Sequence, residues 1–263
     1  MKRMIVRAVA GLAVCAVLVA CLAPPAWADT LVLKQGVGGY TGCTDTYIAE
    51  EDYPGTNHGT VWYMHLYMQS DDPEASGLVK FDLSPLPAGA TITGATLSLW
   101  VYQVVDMTSG DWLDVAPIRV RNFKTWTETG ATWHLFSGSS LWATPGCESP
   151  LWDRFAAPDP ETAAVQFTRD SLVNRYYHWN VTSAVEDWYA DTMQNNGWLV
   201  RVLEHDGGSE GISLNAKESS SLAYRPYLTI EYVPIPEPAT LGLVALGIAG
   251  IAARRKRKTR ASS

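Results

Sequence analysis

An alternation of side-chain character in the middle of the segment 91–104 constrains this chain more than any other feature. Leu97, Leu99 and Val101 fall on one side of an extended segment, and Ser98 and Trp100 fall on the other. Successive side chains of a β-strand point to opposite faces of its sheet. The pattern therefore predicts a long strand with one face in a core.

Residues 29–232, called the body below, consist of strand-like segments almost throughout. Shorter segments of the same kind occupy residues 30–34, 45–48, 60–68, 78–83, 115–123, 198–203, 212–217 and 227–232, with Gly-, Pro- and Asn-rich turns between them. One helix is predicted to begin near Thr182, where Ser183 and Glu186 have capping-box spacing. These elements predict an all-β, jelly-roll-like β-sandwich with one short helix.

The N-terminus has the three parts of a secretory signal. Lys2, Arg3 and Arg7 precede an apolar run over residues 8–22, and Ala26-Trp27-Ala28 offers a small-residue cleavage site. We expect residues 1–28 to be a signal peptide cut between Ala28 and Asp29. A lipoprotein signal with Cys21 as the lipidated residue is the alternative.

The C-terminus carries a second transport signal. Pro236-Glu237-Pro238 precedes an apolar run over residues 239–253, and six basic residues follow by Arg260. Fifteen apolar residues are short of the roughly 20 that span a bilayer, and the basic cluster would stay cytoplasmic. The segment resembles the PEP-CTERM sorting signal of Gram-negative bacteria.

That resemblance implies a defined route. An exosortase would process the chain, residues 239–253 would form an apolar sorting helix transiently in the inner membrane, and the body would reach the cell surface or the medium. The predicted domains are thus the signal peptide 1–28, the β-sandwich 29–232 and the sorting segment 233–263. An ordinary C-terminal membrane anchor is the alternative.

The charge of the body limits its partners. The whole chain has 20 basic and 27 acidic residues. Nine basic residues and Glu237 lie in the transport segments, which leaves the body 11 basic and 26 acidic residues, a net charge of −15. Such a body repels nucleic acid, so we predict no nucleic-acid partner. An anionic polysaccharide would need a divalent cation or a local basic patch.

Motifs along the whole body resemble the DNRLRE domain, a family related to carbohydrate-binding modules. They include Gln35-Gly36-Val37, Asp45-Thr46-Tyr47-Ile48, Val79-Lys80-Phe81-Asp82-Leu83, Trp126-Thr127-Glu128, Asn180-Val181-Thr182, Asn196-Gly197-Trp198, Lys217-Glu218 and Arg225-Pro226-Tyr227-Leu228. The resemblance implies a jelly-roll fold and an extracellular polysaccharide as partner.

Aromatic side chains are the candidate glycan-binding residues. Sugars stack their C–H faces on exposed rings, so a binding platform needs Trp or Tyr on a rigid sheet. By alternation, Trp100 and Tyr102 share one strand face, and Tyr63 and Tyr67 share another with His65. Rings in the core are the alternative. Four further tryptophans are predicted to be structural: Trp126, Trp133, Trp188 and Trp198.

Two more sites are predicted. A structural Ca²⁺ could bind Asp45 with Glu50, Glu51 and Asp52, or Asp71-Asp72 with Glu74; solvated surface charge is the alternative. Otherwise no cofactor is expected. In an oxidising compartment, Cys43 and Cys147 predict a disulfide that ties the irregular stretch 126–159 to the Gly-rich loop 35–42.

The sequence contains no H-E-x-x-H, G-x-S-x-G or P-loop motif, and its five histidines are scattered. We therefore expect a non-catalytic surface protein that associates with exopolysaccharide. A purely structural or adhesive matrix protein and a polysaccharide-degrading enzyme are the alternatives.

Overall fold

The computed structural model describes residues 27–50, 54–70, 72–171 and 173–235. The predicted signal peptide up to residue 26, Pro236-Glu237-Pro238 and the apolar run 239–253 lie outside them. In the described part of the chain, no helix combines the length and apolarity needed to cross a membrane. Asp29 is the first residue of the first strand.

The chain divides into two compact units, and the larger one comprises Thr30–Leu86 and Ile92–Tyr232. It holds every site described below. In the smaller unit, the described residues are 27–29, 87–91 and 233–235. They form strand ends and a turn.

Thirteen strands and one α-helix form the described structure. The strands are β1 (Asp29–Lys34), β2 (Cys43–Ala49), β3 (Tyr63–Gln69), β4 (Asp72–Phe81), β5 (Thr91–Val105), β6 (Trp112–Arg119), β7 (Leu135–Ser137), β8 (Ser140–Leu141), β9 (Val165–Thr168), β10 (Arg175–Asn180), β11 (Trp198–His205), β12 (Ser209–Asn215) and β13 (Tyr227–Val233). The helix is α1 (Thr182–Tyr189), and short 3₁₀ turns cover Pro145–Cys147 and Leu222–Tyr224.

Eleven of these strands form one curled antiparallel sheet, in the order β1-β13-β5-β12-β3-β4-β11-β6-β9. The sheet branches at two strands that each pair with three partners: β5 pairs with β13, β12 and β10, and β4 pairs with β3, β11 and β2. Val101 of β5, for example, lies opposite both Arg175 and Leu214. The small hairpin β7–β8 stands apart. The predicted all-β, jelly-roll-like fold with one short helix is confirmed.

Alternation along the strands explains which residues enter the core. Leu97, Leu99 and Val101 of β5 have no exposed surface, as their spacing predicts. The four tryptophans predicted to be structural are also buried. The Trp126 indole donates to the Asn196 carbonyl over 2.7 Å, which satisfies its polar group inside the core.

The irregular stretch after β6 is held by a buried carboxylate. Asp153 has no exposed surface and accepts hydrogen bonds from the backbone N–H groups of Ala143, Thr144 and Ser149, at 2.8, 2.9 and 3.2 Å. Its Oδ1 also lies 3.1 Å from Lys124 Nζ. These contacts fix the loop on which Trp142 and Cys147 enter a cluster with Trp126 and Trp133.

The predicted disulfide is absent from the structure, where Cys43 and Cys147 are buried free thiols. Cys43 starts β2 opposite Phe81, whereas Cys147 packs in the cluster that contains Ile48, near the other end of β2. Five residues of strand separate Cys43 from Ile48 by about 16 Å. A disulfide needs Cα atoms less than about 7 Å apart. Sequence spacing alone could not show that the two cysteines enter different parts of the core.

The start of α1 differs from the predicted capping box. The cap residue is Val181, and no side chain of the helix's own first turn closes it. Instead, Asn180 Oδ1 accepts from the Thr182 N–H at 3.1 Å, and Glu161 Oε1 accepts from the Ser183 N–H at 2.8 Å. The Ser183 N–H is thus satisfied by Glu161, which lies 22 positions earlier in the chain, and no local sequence pattern could reveal this partner.

Candidate functional site

The candidate site lies on the outer face of the sheet, where β12 runs between β5 and β3. Ser213 of β12 lies opposite His65 of β3 and Gln103 of β5. This arrangement places the outward side chains of β3 next to those of β5. The resulting set of rings is called the aromatic face below and comprises Tyr47, His58, Trp62, Tyr63, His65, Trp100, Tyr102, Tyr176 and Tyr224.

The middle of the aromatic face is built around Trp62. Its ring centroid lies 5.1 Å from that of Tyr102 and 5.2 Å from that of Tyr63. Tyr63 continues the row to His65 at 4.6 Å, and His65 Nδ1 is 2.8 Å from Ser213 Oγ. Contacts on both sides thus hold the Trp62 ring, yet 49% of the residue remains exposed.

Trp100 and Tyr224 extend the row on the other side, with centroids 4.4 Å apart. Tyr176 of β10, directly opposite Trp100, meets it edge-on at 5.0 Å. A cleft of about 380 Å³ lies between these rings and Trp62. Its lining residues are Trp62, Trp100, Tyr102, Asn174, Asn215 and Tyr224. Exposed rings form the rim of this cleft. The side-chain amides of Asn174 and Asn215 can hydrogen-bond to hydroxyl groups of a ligand.

A second cleft of about 490 Å³ lies at the other end of the aromatic face. The rings of Tyr47 and His58 stack there with centroids 4.0 Å apart. Tyr67, also on its lining, donates from its hydroxyl to Asp106 Oδ2 over 2.9 Å. Glu74 and Asp106 give this cleft a negative edge, which the first cleft lacks.

Burial sets the charge state of the ionisable rings. Desolvation lowers the pKa of His58 and of His65, and the neighbouring His58 lowers that of His65 further. Desolvation raises the pKa of Tyr102 and of Tyr47. At neutral pH these two imidazoles and two phenols are therefore uncharged, so this part of the surface suits stacking and hydrogen bonding rather than charge recognition.

The structure assembles three of the four predicted platform residues around one cleft. Trp100 and Tyr102 line the first cleft, and Tyr63 supports its rim through Trp62. Tyr67 lies instead at the second cleft. All four residues are partly buried. They are therefore neither fully exposed platform residues nor core residues, the two alternatives that the sequence left open.

Two rings that line the first cleft, those of Trp62 and Tyr224, are not among the platform residues predicted from the sequence. Continued strand alternation would place Trp62 on the same face as Met64, but β3 begins only at Tyr63, so the alternation does not reach Trp62. Its ring turns outward onto Tyr102. Tyr224 lies on a 3₁₀ turn between β12 and β13, where no periodic signal exists.

The predicted Ca²⁺ set is not assembled. Asp45 is fully buried within β2, whereas Glu50 is exposed just beyond the strand's end. Five strand residues separate them by about 16 Å and place their side chains on opposite faces. Glu51, Asp52 and Asp71 lie outside the described residues, so the second predicted set, Asp71-Asp72 with Glu74, stays a prediction.

Two other groups of potential metal ligands exist in the described chain. Asp45 lies with Glu128 and Glu218, and His205 lies with Asp206 and Glu210. Burial, followed by the charge of Glu218, raises the pKa of Asp45. His205 Nδ1 is already 2.7 Å from Glu210 Oε1, so that group forms its own ion pair or hydrogen bond.

Comparison with known proteins identifies both the transport signal and the body. Residues 234–258 match the PEP-CTERM protein-sorting motif, which confirms the sorting signal and indicates an exported protein processed by an exosortase. No curated protein matches the sequence closely enough to count as a relative. Residues 51–230, more than half of the chain, match the family model described as Disaggregatase related repeat domain. The DNRLRE resemblance is therefore not confirmed, and the chain belongs to the Disaggregatase related repeat domain family.

Proposed function

We propose that this exported protein binds an extracellular polysaccharide on its aromatic face and does not cleave it. The observation that carries the proposal is the first cleft, where two exposed rings, Trp62 and Tyr224, border the partly buried rings of Trp100 and Tyr102. A cleft of about 380 Å³ is within the usual size range of small-ligand sites.

The chemistry of this cleft matches a sugar. Aromatic rings offer apolar surface to the C–H faces of a pyranose, and amides donate to and accept from its hydroxyl groups. Asn174 and Asn215 supply such amides. The rings also continue along the aromatic face to the second cleft, which supports binding to several successive sugars rather than to a chain end.

Charge supports a neutral or amine-bearing glycan rather than an acidic one. The body has a net charge of −15, and Glu74 and Asp106 line the second cleft. The negative charge of the body would repel a uronic-acid polymer, whereas it would not repel a neutral polymer. Exosortase processing would deliver the binding surface to the cell exterior, where such polymers occur.

Affinity electrophoresis on gels containing neutral, amine-bearing and acidic polysaccharides tests the proposal. We expect retention on at least one of the first two, and reduced retention for Trp100→Ala and Tyr63→Ala. Trp152→Ala is the matched control, because Trp152 is 60% exposed and contacts Phe123, outside the aromatic face. Equal mobility on every gel would contradict binding and favour a purely structural or adhesive role.

The absence of cleavage has a separate readout. The retained polysaccharide is incubated with the protein, and soluble reducing ends and ultraviolet-absorbing unsaturated products are measured. We expect neither to increase over a protein-free control. Product release that depends on His65 or Tyr67 would replace this proposal with a polysaccharide-degrading activity.

A further inference from the structure

Three carboxylates that are far apart in the sequence converge beside β2. Asp45 comes from the strand itself, Glu128 from the irregular stretch after β6, and Glu218 from the loop after β12. One ligand oxygen from each lies within 4.8 Å of the others. Like charges repel at this distance, so their convergence requires a compensating group.

The cluster contains buried oxygens that accept no hydrogen bond from any residue that the structure describes. Asp45 has no exposed surface; its Oδ2 accepts from the Lys217 N–H at 2.8 Å, but its Oδ1 has no hydrogen-bond partner among the described residues. Glu218 Oε2 is likewise buried and has no hydrogen-bond partner within residues 27–50, 54–70, 72–171 and 173–235. A desolvated carboxylate oxygen is costly unless a donor or a cation meets it. Two such oxygens in one cluster form a place where a bound cation would be stabilised.

In the part of the chain that the structure describes, one ammonium group pairs with the cluster, that of Lys217, and it does not neutralise all three carboxylates. Lys217 Nζ lies 2.7 Å from Glu128 Oε1 and 2.7 Å from Glu218 Oε1, but it is not within salt-bridge distance of Asp45. Lys80 is directed elsewhere, with its Nζ 4.8 Å over the Trp126 ring. With all three carboxylates ionised, the cluster and the Lys217 ammonium together carry a charge of −2, which one divalent cation neutralises.

We infer that Asp45, Glu128 and Glu218 form a divalent-cation site, and that Ca²⁺ is its preferred ion. All donors are oxygen atoms, which favours Ca²⁺ or Mg²⁺ over metals that prefer nitrogen or sulfur. Ca²⁺ accepts irregular sets of carboxylates, whereas Mg²⁺ demands near-octahedral geometry and keeps its waters. The site differs from the Ca²⁺ sets predicted from the sequence and is independent of glycan binding.

A bound ion would join three parts of the fold. It would link β2 to the loop of Glu128, which Asn57 also holds through hydrogen bonds of 2.6 and 2.7 Å to the Glu128 and Ala131 carbonyls. It would also link β2 to the loop that leads from β12 towards Tyr224. The expected role is therefore to stabilise the body outside the cell, where Ca²⁺ is abundant.

Isothermal titration and thermal unfolding of the chelator-treated protein test the inference. We expect one Ca²⁺ per chain, a dissociation constant in the range of extracellular Ca²⁺ modules, about 10⁻⁴ to 10⁻³ M, and a saturable rise in Tm. Mg²⁺ should have a weaker effect. Absence of heat and of a Tm change up to about ten times that concentration would overturn the site and indicate a proton shared within the cluster.

Substitutions assign the ligands. Glu218→Gln should weaken Ca²⁺ binding at least tenfold, and because Glu218 is partly exposed this variant should fold. Glu50→Gln, at an exposed carboxylate near the same strand, is the matched control and should bind as the wild type does. Asp45→Asn should abolish the Ca²⁺-dependent rise in Tm. Unchanged affinity in Glu218→Gln would show that the ion binds elsewhere.

Discussion

Asp153→Ala offers a test of how the irregular stretch after β6 is held. In the absence of a disulfide, the Asp153 carboxylate connects three backbone N–H groups and Lys124 in an environment without solvent. Alanine would leave these donors buried and unpaired. The prediction is that this one substitution destabilises the whole body.

The magnitude follows from burial. Removing one partner of a buried ion pair costs about 3–5 kcal/mol, and a buried donor left unpaired costs about 1–3 kcal/mol. These terms overlap and water can enter the loop, so we expect a loss of about 4 kcal/mol. That is a large part of the roughly 5–15 kcal/mol that stabilises a typical domain.

Urea unfolding followed by tryptophan fluorescence measures this loss. Asp170→Ala is the matched control, because Asp170 also pairs with a basic side chain, Arg169, but the carboxylate is 81% exposed. An exposed pair contributes at most about 1 kcal/mol, so the control should stay within that range of the wild type. A similar small loss in both variants would refute the reasoning.

Three further predictions concern other parts of the body. Cys43 and Cys147 should be unreactive towards a thiol reagent in the native protein and react as two free thiols after unfolding. A reductant should leave the Tm unchanged. A disulfide between them that the reductant breaks would contradict this prediction. Gly197→Ala should lower the free energy of unfolding in urea by about 2–4 kcal/mol, because φ is +67° and a Cβ would lie 2.2 Å from the Val79 carbonyl oxygen. Gly38→Ala is the control: φ is +60° there, but the space around the Cβ is open, so the loss should be only about 1 kcal/mol. Burial lowers the pKa of His65, so between pH 7 and about 5 the unfolded state binds more protons than the folded state. The free energy of unfolding of the wild type should therefore fall relative to that of His65→Gln as the pH is lowered over this range. A difference in unfolding free energy between the two proteins that does not change with pH would contradict this.

The fold could be predicted from the sequence because its main signal is local. Alternation placed the long strand at residues 91–104, and the structure has β5 at Thr91–Val105. The short strands β9 and β10 were missed. Tyr176, Tyr177 and His178 in β10 give no apolar alternation, and the strand forms because it pairs with β5.

The site was only partly predictable because it depends on contacts between distant segments. Strand alternation gave the outward direction of Trp100 and Tyr102, but not the placement of β12 between β5 and β3. Trp62 and Tyr224 border the cleft from outside the strands, where periodicity carries no information. The carboxylate cluster was missed for the same reason, since Asp45 and Glu218 are 173 positions apart.

The affinity of Trp62→Ala for a retained polysaccharide tests the central claim most directly. About half of Trp62 is exposed, and a sugar stacked on one face of the ring would cover roughly 60 Å², which at about 25 cal/mol per Å² contributes about 1.5 kcal/mol. We predict an increase in Kd of about tenfold for Trp62→Ala and no change for Trp152→Ala. Equal affinity of Trp62→Ala and the wild type would contradict binding at the aromatic face.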